Sequence, residues 1–315
     1  MPDRAEVTRR PERPKLSLGP RLFTAMLIVE AMLGISRKLI LAAAGLLSAL
    51  GALHAFQKPF RQYPGVEHFT YPLPPDWQEK GDFIFARLMY PNGGPMDGYY
   101  PRFQGDWREG LSLWTQDYPP ADRHFLAAVR RLTRIKTRSV EQSVNLDERE
   151  EYDFPFLYAV QVGEWALTEQ QGREMREYLL RGGFFMADDF HGTHEYAEFV
   201  TRMKYVFPDR PIVEIPAGDP ILHAVYDLTE RVQIPGRDHL RLGCKNCDGD
   251  GRDDGGRGAH WQAIYDDKGR VMVVISYNSD LGDAWEWADD ARYPEKAASI
   301  AMRIGANDIV YAMTH

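Results

Sequence analysis

The sequence predicts an α/β domain with a mostly parallel central sheet, on three observations. Strand-like and helix-like segments alternate between residues 156 and 215. The strand-like segments, FLYAVQV at 156–162 and FFMA at 184–187, are near-continuous apolar runs, as expected of strands buried on both faces. The helix between them is bracketed by its own signals, a Thr168/Gln171 capping box and a Gly182-Gly183 stop. Alternation of this kind lays helices against a parallel sheet.

The elements follow in order. Residues 83–90 (FIFARLMY) predict a first strand, and a Gly/Pro/aromatic loop at 91–120 carries Asp117-Tyr118-Pro119. Residues 121–134 predict a helix, because Phe125, Ala128, Val129 and Leu132 share one face. After the strand at 156–162, Met175, Tyr178 and Leu179 give the capped helix its buried stripe. The strand at 184–187 leads into a helix at 194–207 with Tyr196, Phe199, Val200 and Met203 inward, then a short strand at 212–215. Residues 262–265 and 271–277 flank the turn DDKG and predict a hairpin. A helix at 295–304 and a last strand at 309–312 complete one domain, residues 81–315, with no internal repeat.

Two segments precede it. Residues 58–80 are rich in Pro, Tyr and charge and read as a linker or an arm lying on the domain. Residues 1–57 read as a leader. From 39 to 57 there is no Asp, Glu, Lys or Arg, Arg37-Lys38 stand just before, and small residues close the run. That pattern describes a signal peptide cleaved near Ala55, or an uncleaved membrane anchor of near-spanning length. Either reading predicts a domain outside the cytoplasm, in the periplasm or another extracytoplasmic space. The long polar stretch ahead of Arg37 suggests an internal start at Met26 or Met32.

The charge is −8 in total and uneven: residues 1–55 carry +4, which leaves −12 on the remainder. An acidic domain of this kind is not expected to bind nucleic acid, which calls for a basic patch.

The chemistry concentrates in two stretches. GGFFMADDFHGTHE (182–195) is an apolar run that stops at Asp188-Asp189, with His191, His194 and Glu195 following. Ligands in open α/β sheets bind where strands end in such groups. These residues suit a divalent metal, hydrogen bonding to an organic ligand, or acid–base work; an aspartate cap with solvated neighbours is the plain alternative. The HGTHE spacing is not that of the zinc-binding helix. NSDLGDAWEWADD (278–290) also follows an apolar strand and offers Asn278, Asp280, Asp283, Glu286, Trp285 and Trp287. Acids beside indoles suit sugars or cations, or simply a packed, solubilising loop. Both stretches are expected on one sheet edge.

Other motifs argue by failing. Cys244-Lys245-Asn246-Cys247 cannot supply four zinc ligands and reads as a local disulfide or an ordinary loop. The acids after it miss calcium-loop spacing. There is no G-x-S-x-G elbow, no P-loop and no dinucleotide fingerprint. Covalent acyl transfer and ATP- or NAD-driven chemistry are disfavoured.

FARLMY, WTQDYPPADRHF, the run from FLYAVQVGEWALTEQQ to GGFFMADDFHG, VFPDRPIVEI, NSDLGDAWEWADD and AMRIGANDIVYAMTH together resemble the domain-of-unknown-function 4159 family, over residues 83–315. The resemblance implies a flavodoxin-like, class I glutamine-amidotransferase-like three-layer sandwich in an envelope-associated bacterial protein. The positions it singles out are Asp117, Tyr118, Pro119, Asp122, Asp188, Asp189, His191, Gly192, Asn278, Asp280, Gly282, Asp283, Trp285 and Glu286. The Gly/Asp-rich stretch 244–258 departs from the family pattern. Active amidotransferases need a cysteine after the central strand, where this chain has Asp188-Asp189, so glutamine hydrolysis does not follow.

The expectation is then a non-catalytic domain that binds a small molecule or an envelope protein, without an obligatory cofactor. Two alternatives stand beside it. One is a metal-dependent hydrolase holding a divalent metal through Asp188, Asp189, His191 and Asp283. The other is a carbohydrate-recognising or carbohydrate-processing protein built on Trp285 and Trp287.

Overall fold

A computed structural model describes residues 59–93, 106–243 and 258–315. The leader at 1–57, its Ala55 cleavage site and the Cys244/Cys247 pair lie outside the described residues. Among the described residues, no helix is long and apolar enough to cross a membrane.

Seven strands form one sheet: β1 (Ala86–Met89), β2 (Gln142–Asn145), β3 (Phe156–Ala159), β4 (Phe184–Ala187), β5 (Val213–Glu214), β6 (His260–Tyr265) and β7 (Val271–Tyr277), in the order β2-β1-β3-β4-β7-β6-β5. Pairing is parallel from β2 through to β7; β6 is antiparallel to both β7 and β5. The α-helices among the described residues are α1 (Pro120–Leu132), α2 (Glu169–Leu180), α3 (Gly192–Val206), α4 (Arg237–Leu242), α5 (Leu281–Glu286) and α6 (Glu295–Thr314).

Alternate residues of each strand feed two hydrophobic clusters, as the two-residue period of a strand requires. Leu88, Leu157, Phe185 and Val273 pack with Met175 and Leu179 of α2 and Phe199 and Met203 of α3. Phe85, Phe156, Phe184 and Val274 pack with Phe125 and Val129 of α1, Trp285 of α5 and Ile304 of α6. The capping box that opens α2 forms as expected: Thr168 accepts from the Gln171 amide and Gln171 accepts from the Thr168 amide.

The structure departs from the sequence reading in four places. Residues 295–314 are one helix, with no strand at 309–312. Ile309-Val310 is β-branched, but Ala301, Ile304, Ile309 and Tyr311 are buried along a continuing helical face, and packing overrides propensity. β2 (QSVN) carries polar residues that conceal it, yet all four are buried. The strand read at 156–162 ends at Ala159, because Gln161 turns to a positive φ of 51°. Residues 281–286, read as loop, form α5.

Of the segment read at 58–80, residues 60–80 belong to the compact unit Phe60–His315 and are hydrogen-bonded to the rest of it. The Leu111 amide donates to Pro64 O (2.8 Å), the Val66 amide to Thr115 Oγ1 (3.2 Å) and the Tyr63 amide to the Tyr118 hydroxyl (3.2 Å).

Candidate functional site

The C-terminal ends of parallel strands put their following residues on one edge. β4 and β7 are parallel neighbours, so the stretches beginning at Asp188 and Asn278 start side by side. The chain goes from β1 to β2 on one side of β1 and then to β3 on the other. That reversal opens a crevice at the same edge, where such sheets hold ligands. Four non-glycine residues there have positive φ: Asp117 (60°), Gln161 (51°), Asp189 (55°) and Asn278 (62°). Backbone strain of this kind costs roughly 1–3 kcal/mol per residue and clusters at functional sites.

Asp188 is a joint. Its Oδ2 accepts from the Tyr158 hydroxyl (2.9 Å) and from the Leu281 and Gly282 amides (2.9 and 3.1 Å), tying β3 and β4 to the start of α5. Burial pushes its carboxyl up to about 7 despite these bonds. Asn278 is another joint, its Oδ1 accepting from the Gly192 amide at the start of α3 (3.0 Å). Glu195 accepts from the His191 amide (2.6 Å).

Asp117, Asp189 and Asp280 converge instead on one point: each offers a carboxylate oxygen within 4.8 Å of the others, and all three residues are buried. Asp117, Asp283 and Glu286 form a second such group, and Glu67, His68 and Glu286 a third. Asp117 is common to the first two and Glu286 to the last two, so the groups make a chain from the sheet edge to the surface.

Their bonds leave oxygens to spare. Asp189 Oδ2 accepts from Gln161 Nε2 (2.8 Å). Asp280 caps α5 by accepting from the Asp283 amide (2.7 Å). Asp283 accepts from the Arg237 amide (2.7 Å) and from Trp287 Nε1 (2.9 Å). Glu286 Oε1 meets His68 Nε2 at 2.6 Å. Asp117 Oδ2 and Glu286 Oε2 are buried with no hydrogen-bond partner. Among the described residues, no Lys or Arg forms an ion pair with Asp117, Asp189 or Asp280.

Burial, reinforced by neighbouring carboxylates, drives Asp117, Asp189 and Asp280 well above the usual carboxylate range and raises Asp283. The Glu67 carboxylate, set in beside Glu286 and Asp283 on an otherwise exposed residue, is pushed up to about 7, burial first and Glu286 second. The Glu286 hydrogen bond raises His68.

Three ionised carboxylates within 4.8 Å of one another repel by about 3 kcal/mol per pair at an effective dielectric near 20, on the order of 10 kcal/mol together. That equals the stability of a typical domain. The group therefore holds either protons or a cation.

Of the residues marked by the sequence, Asp117, Asp189, Asp280, Asp283 and Glu286 come together. The set Asp188, Asp189, His191 and Asp283 does not form one converging group among the described residues: Asp188 Oδ2 is bonded to Tyr158 and the α5 amides while its Oδ1 is buried without a partner, and His191 Nδ1 lies 3.8 Å from Asp189 Oδ1. His191 lies with its ring centroid 4.0 Å from that of His239, and burial first, then His239, holds it well below its ordinary value, so it is neutral. His194 is exposed on α3. Tyr118 is buried, and its hydroxyl holds the Tyr63 amide. Trp285 has no open ring face: it stacks on Phe125 at 4.1 Å in the core. Glu67, His68 and Gln161 escape sequence reasoning. The only signal for the first two is a Glu-His pair after Pro64-Gly65 in the arm.

A family model described as a domain of unknown function (DUF4159) matches residues 108–313. No curated protein matches the chain. The matched range includes all of Asp117, Asp189, Asp280, Asp283 and Glu286, while Glu67, His68 and β1 precede it.

Proposed function

The chain belongs to the DUF4159 family, and from its site we propose that it is a hydrolase dependent on a divalent cation held by Asp117, Asp189 and Asp280, with Asp283 and Glu286 completing the shell. The observation that carries this reading is the convergence of those three buried carboxylates, with Asp117 Oδ2 unpartnered. An all-oxygen donor set selects a hard cation, Mg²⁺, Mn²⁺ or Ca²⁺, over Zn²⁺. Such a cation offsets the carboxylate charge and polarises an ester oxygen or water.

The chain's own residues set the geometry. Gln161 fixes Asp189, the α5 amides fix Asp188 and through it the register of Asp280 against β4, and His68 orients Glu286. With no nucleophile elbow in the sequence, water is the attacking group. The flavodoxin-like, amidotransferase-like sandwich belongs to the same proposal: Asp188-Asp189 stand where that fold places its cysteine, so metal-assisted hydrolysis replaces acyl transfer. The leader's pattern puts this activity in the cell envelope.

The non-catalytic binding reading shares the site but needs neither turnover nor a cation. Calorimetric titration of the chelator-treated full chain with Mn²⁺, Mg²⁺, Ca²⁺ and Zn²⁺, with hydrolysis of nitrophenyl esters followed in parallel, separates them. Stoichiometric Mn²⁺ or Mg²⁺ binding that is lost in Asp117→Asn, together with metal-dependent turnover, supports the hydrolase. Binding without turnover on any ester leaves a cation-dependent binding domain, and no cation binding overturns the hydrolase and leaves the cofactor-independent binding domain.

A further inference from the structure

Beside the carboxylate chain lies a cleft of about 490 Å³, lined by Arg237, Asp238, Leu240, Arg241, Trp287, Asp290, Arg292 and Tyr293. Three arginines and two aspartates thus share its lining. The cleft shares a wall with the site: Asp283 accepts from the Arg237 amide on one oxygen and from Trp287 Nε1 on the other. The Arg237 guanidinium lies 4.3 Å over the Trp287 ring, which fixes its plane at low entropic cost.

The two lining acids pair with all three arginines, Asp238 lying 3.8 Å from Arg237 Nε as well. Asp290 binds Arg292 through Nε and Nη2 (3.0 and 2.6 Å), and Asp238 binds Arg241 Nε (3.3 Å). These bonds use only part of the five donors that each guanidinium carries. The remaining donors share the cleft with Leu240 and Tyr293.

From this we infer that the cleft binds a phosphate monoester, its phosphate on Arg237, Arg241 and Arg292 and its organic group against Leu240 and Tyr293. Guanidinium forks match phosphate oxygens in pairs. A hard cation held by Asp117, Asp189 and Asp280 with Asp283 in its shell would stand on the other side of the wall that Asp283 shares with the cleft. The inference thus names the substrate class of the proposed hydrolase and rests on that reading for its chemistry, though not for its binding. In the reaction the water oxygen bonds to phosphorus and the P–O ester bond breaks. The alcohol oxygen leaves with the bonding pair and takes one of the water's protons.

The test is calorimetric binding of phenyl phosphate, inorganic phosphate and phenol to the full chain at constant ionic strength, with and without Mn²⁺. Arg237→Gln/Arg292→Gln serves as the variant; the Arg292 side chain is exposed and that of Arg237 half-exposed over Trp287, and the variant's melting temperature checks the fold. The expected result is binding of phenyl phosphate in preference to inorganic phosphate, none of phenol, and a loss of about tenfold or more in the variant with Mn²⁺ affinity kept. A chain that binds Mn²⁺ but not phenyl phosphate, or binds it equally well in the variant, overturns the phosphate site and leaves the hydrolase reading standing. Arginine-dependent phenyl phosphate binding by a chain that takes no Mn²⁺ does the reverse.

Discussion

Gly282 and Asp117 stand so close that a Cβ on the glycine would meet Asp117 Oδ2 at 2.2 Å. Gly282 lies in the first turn of α5 with no positive φ, so alanine is conformationally acceptable there and the cost falls on the carboxylate. Gly282→Ala is expected to push Asp117 out of both oxygen groups. Mn²⁺ affinity should drop by about tenfold or more, while helix propensity offsets part of any stability loss. Calorimetry and thermal melting of the same sample check this; unchanged affinity would place the cation away from Asp117.

The repulsion among Asp117, Asp189 and Asp280 makes a prediction whose sign depends on the cation. Asparagine keeps the Asp280 cap on the Asp283 amide and the Gln161 contact of Asp189. In chelator, Asp189→Asn and Asp280→Asn should each raise the melting temperature, by about 2–4 °C for every kcal/mol of repulsion removed. In saturating Mn²⁺ the order should invert, because wild type gains binding energy that the variants lack. Variants less stable than wild type under both conditions would argue that the carboxylates are held by protons and hydrogen bonds alone.

Arg87 on β1 is fully buried and ties the site's loop to the sheet. Its Nε donates to Asp122 on α1 (2.8 Å), and its Nη1 donates to the carbonyls of Trp114 and Gln116 (3.0 and 3.1 Å), next to Asp117. Arg87→Met leaves the Asp122 carboxylate buried and unpaired, which costs about 3–5 kcal/mol. Adding Asp122→Leu should recover much of that stability by removing the orphaned charge. Mn²⁺ binding should not recover, because the 114–117 loop has lost its anchor. Urea denaturation and metal titration of the two variants check the split; recovery of both together would make Arg87 a stability residue only.

The sheet, the strand ends and the two acidic stretches were legible because each is local. An apolar run stopped by Asp188-Asp189 needs no partner to be recognised, and the Thr168/Gln171 box closes within one turn. The division of labour between the adjacent aspartates was not legible. It depends on Tyr158 and the α5 amides reaching Asp188 from 30 and 93 residues away. Glu67 and His68 were harder still, since His68 meets Glu286 across 218 residues. The last helix was misread because a short window at 309–312 shows β-branching, whereas its buried face runs the length of Glu295–Thr314.

A residue remote from the acidic site gives a prediction on pH. Glu151 is fully buried in the turn before β3, and neither carboxylate oxygen has a hydrogen-bond partner. Burial first, with the Glu174 charge adding to it, pushes its carboxyl up to about 7 from the ordinary 4.5. The native state therefore binds more protons than the unfolded state between those values, so this residue's contribution to stability falls as pH rises through that window. Below pH 4.5 both states are protonated and Glu151→Gln should change little. At pH 8 the glutamine variant should be more stable by about 1–2 kcal/mol, less than the full shift implies because solvent near the turn screens part of the charge. Urea denaturation of both proteins in chelator, at pH 4.5 and pH 8, measures the difference. The acidic site titrates identically in both and cancels. An equal gain at both pH values would assign the effect to packing and remove the ionisation from the account.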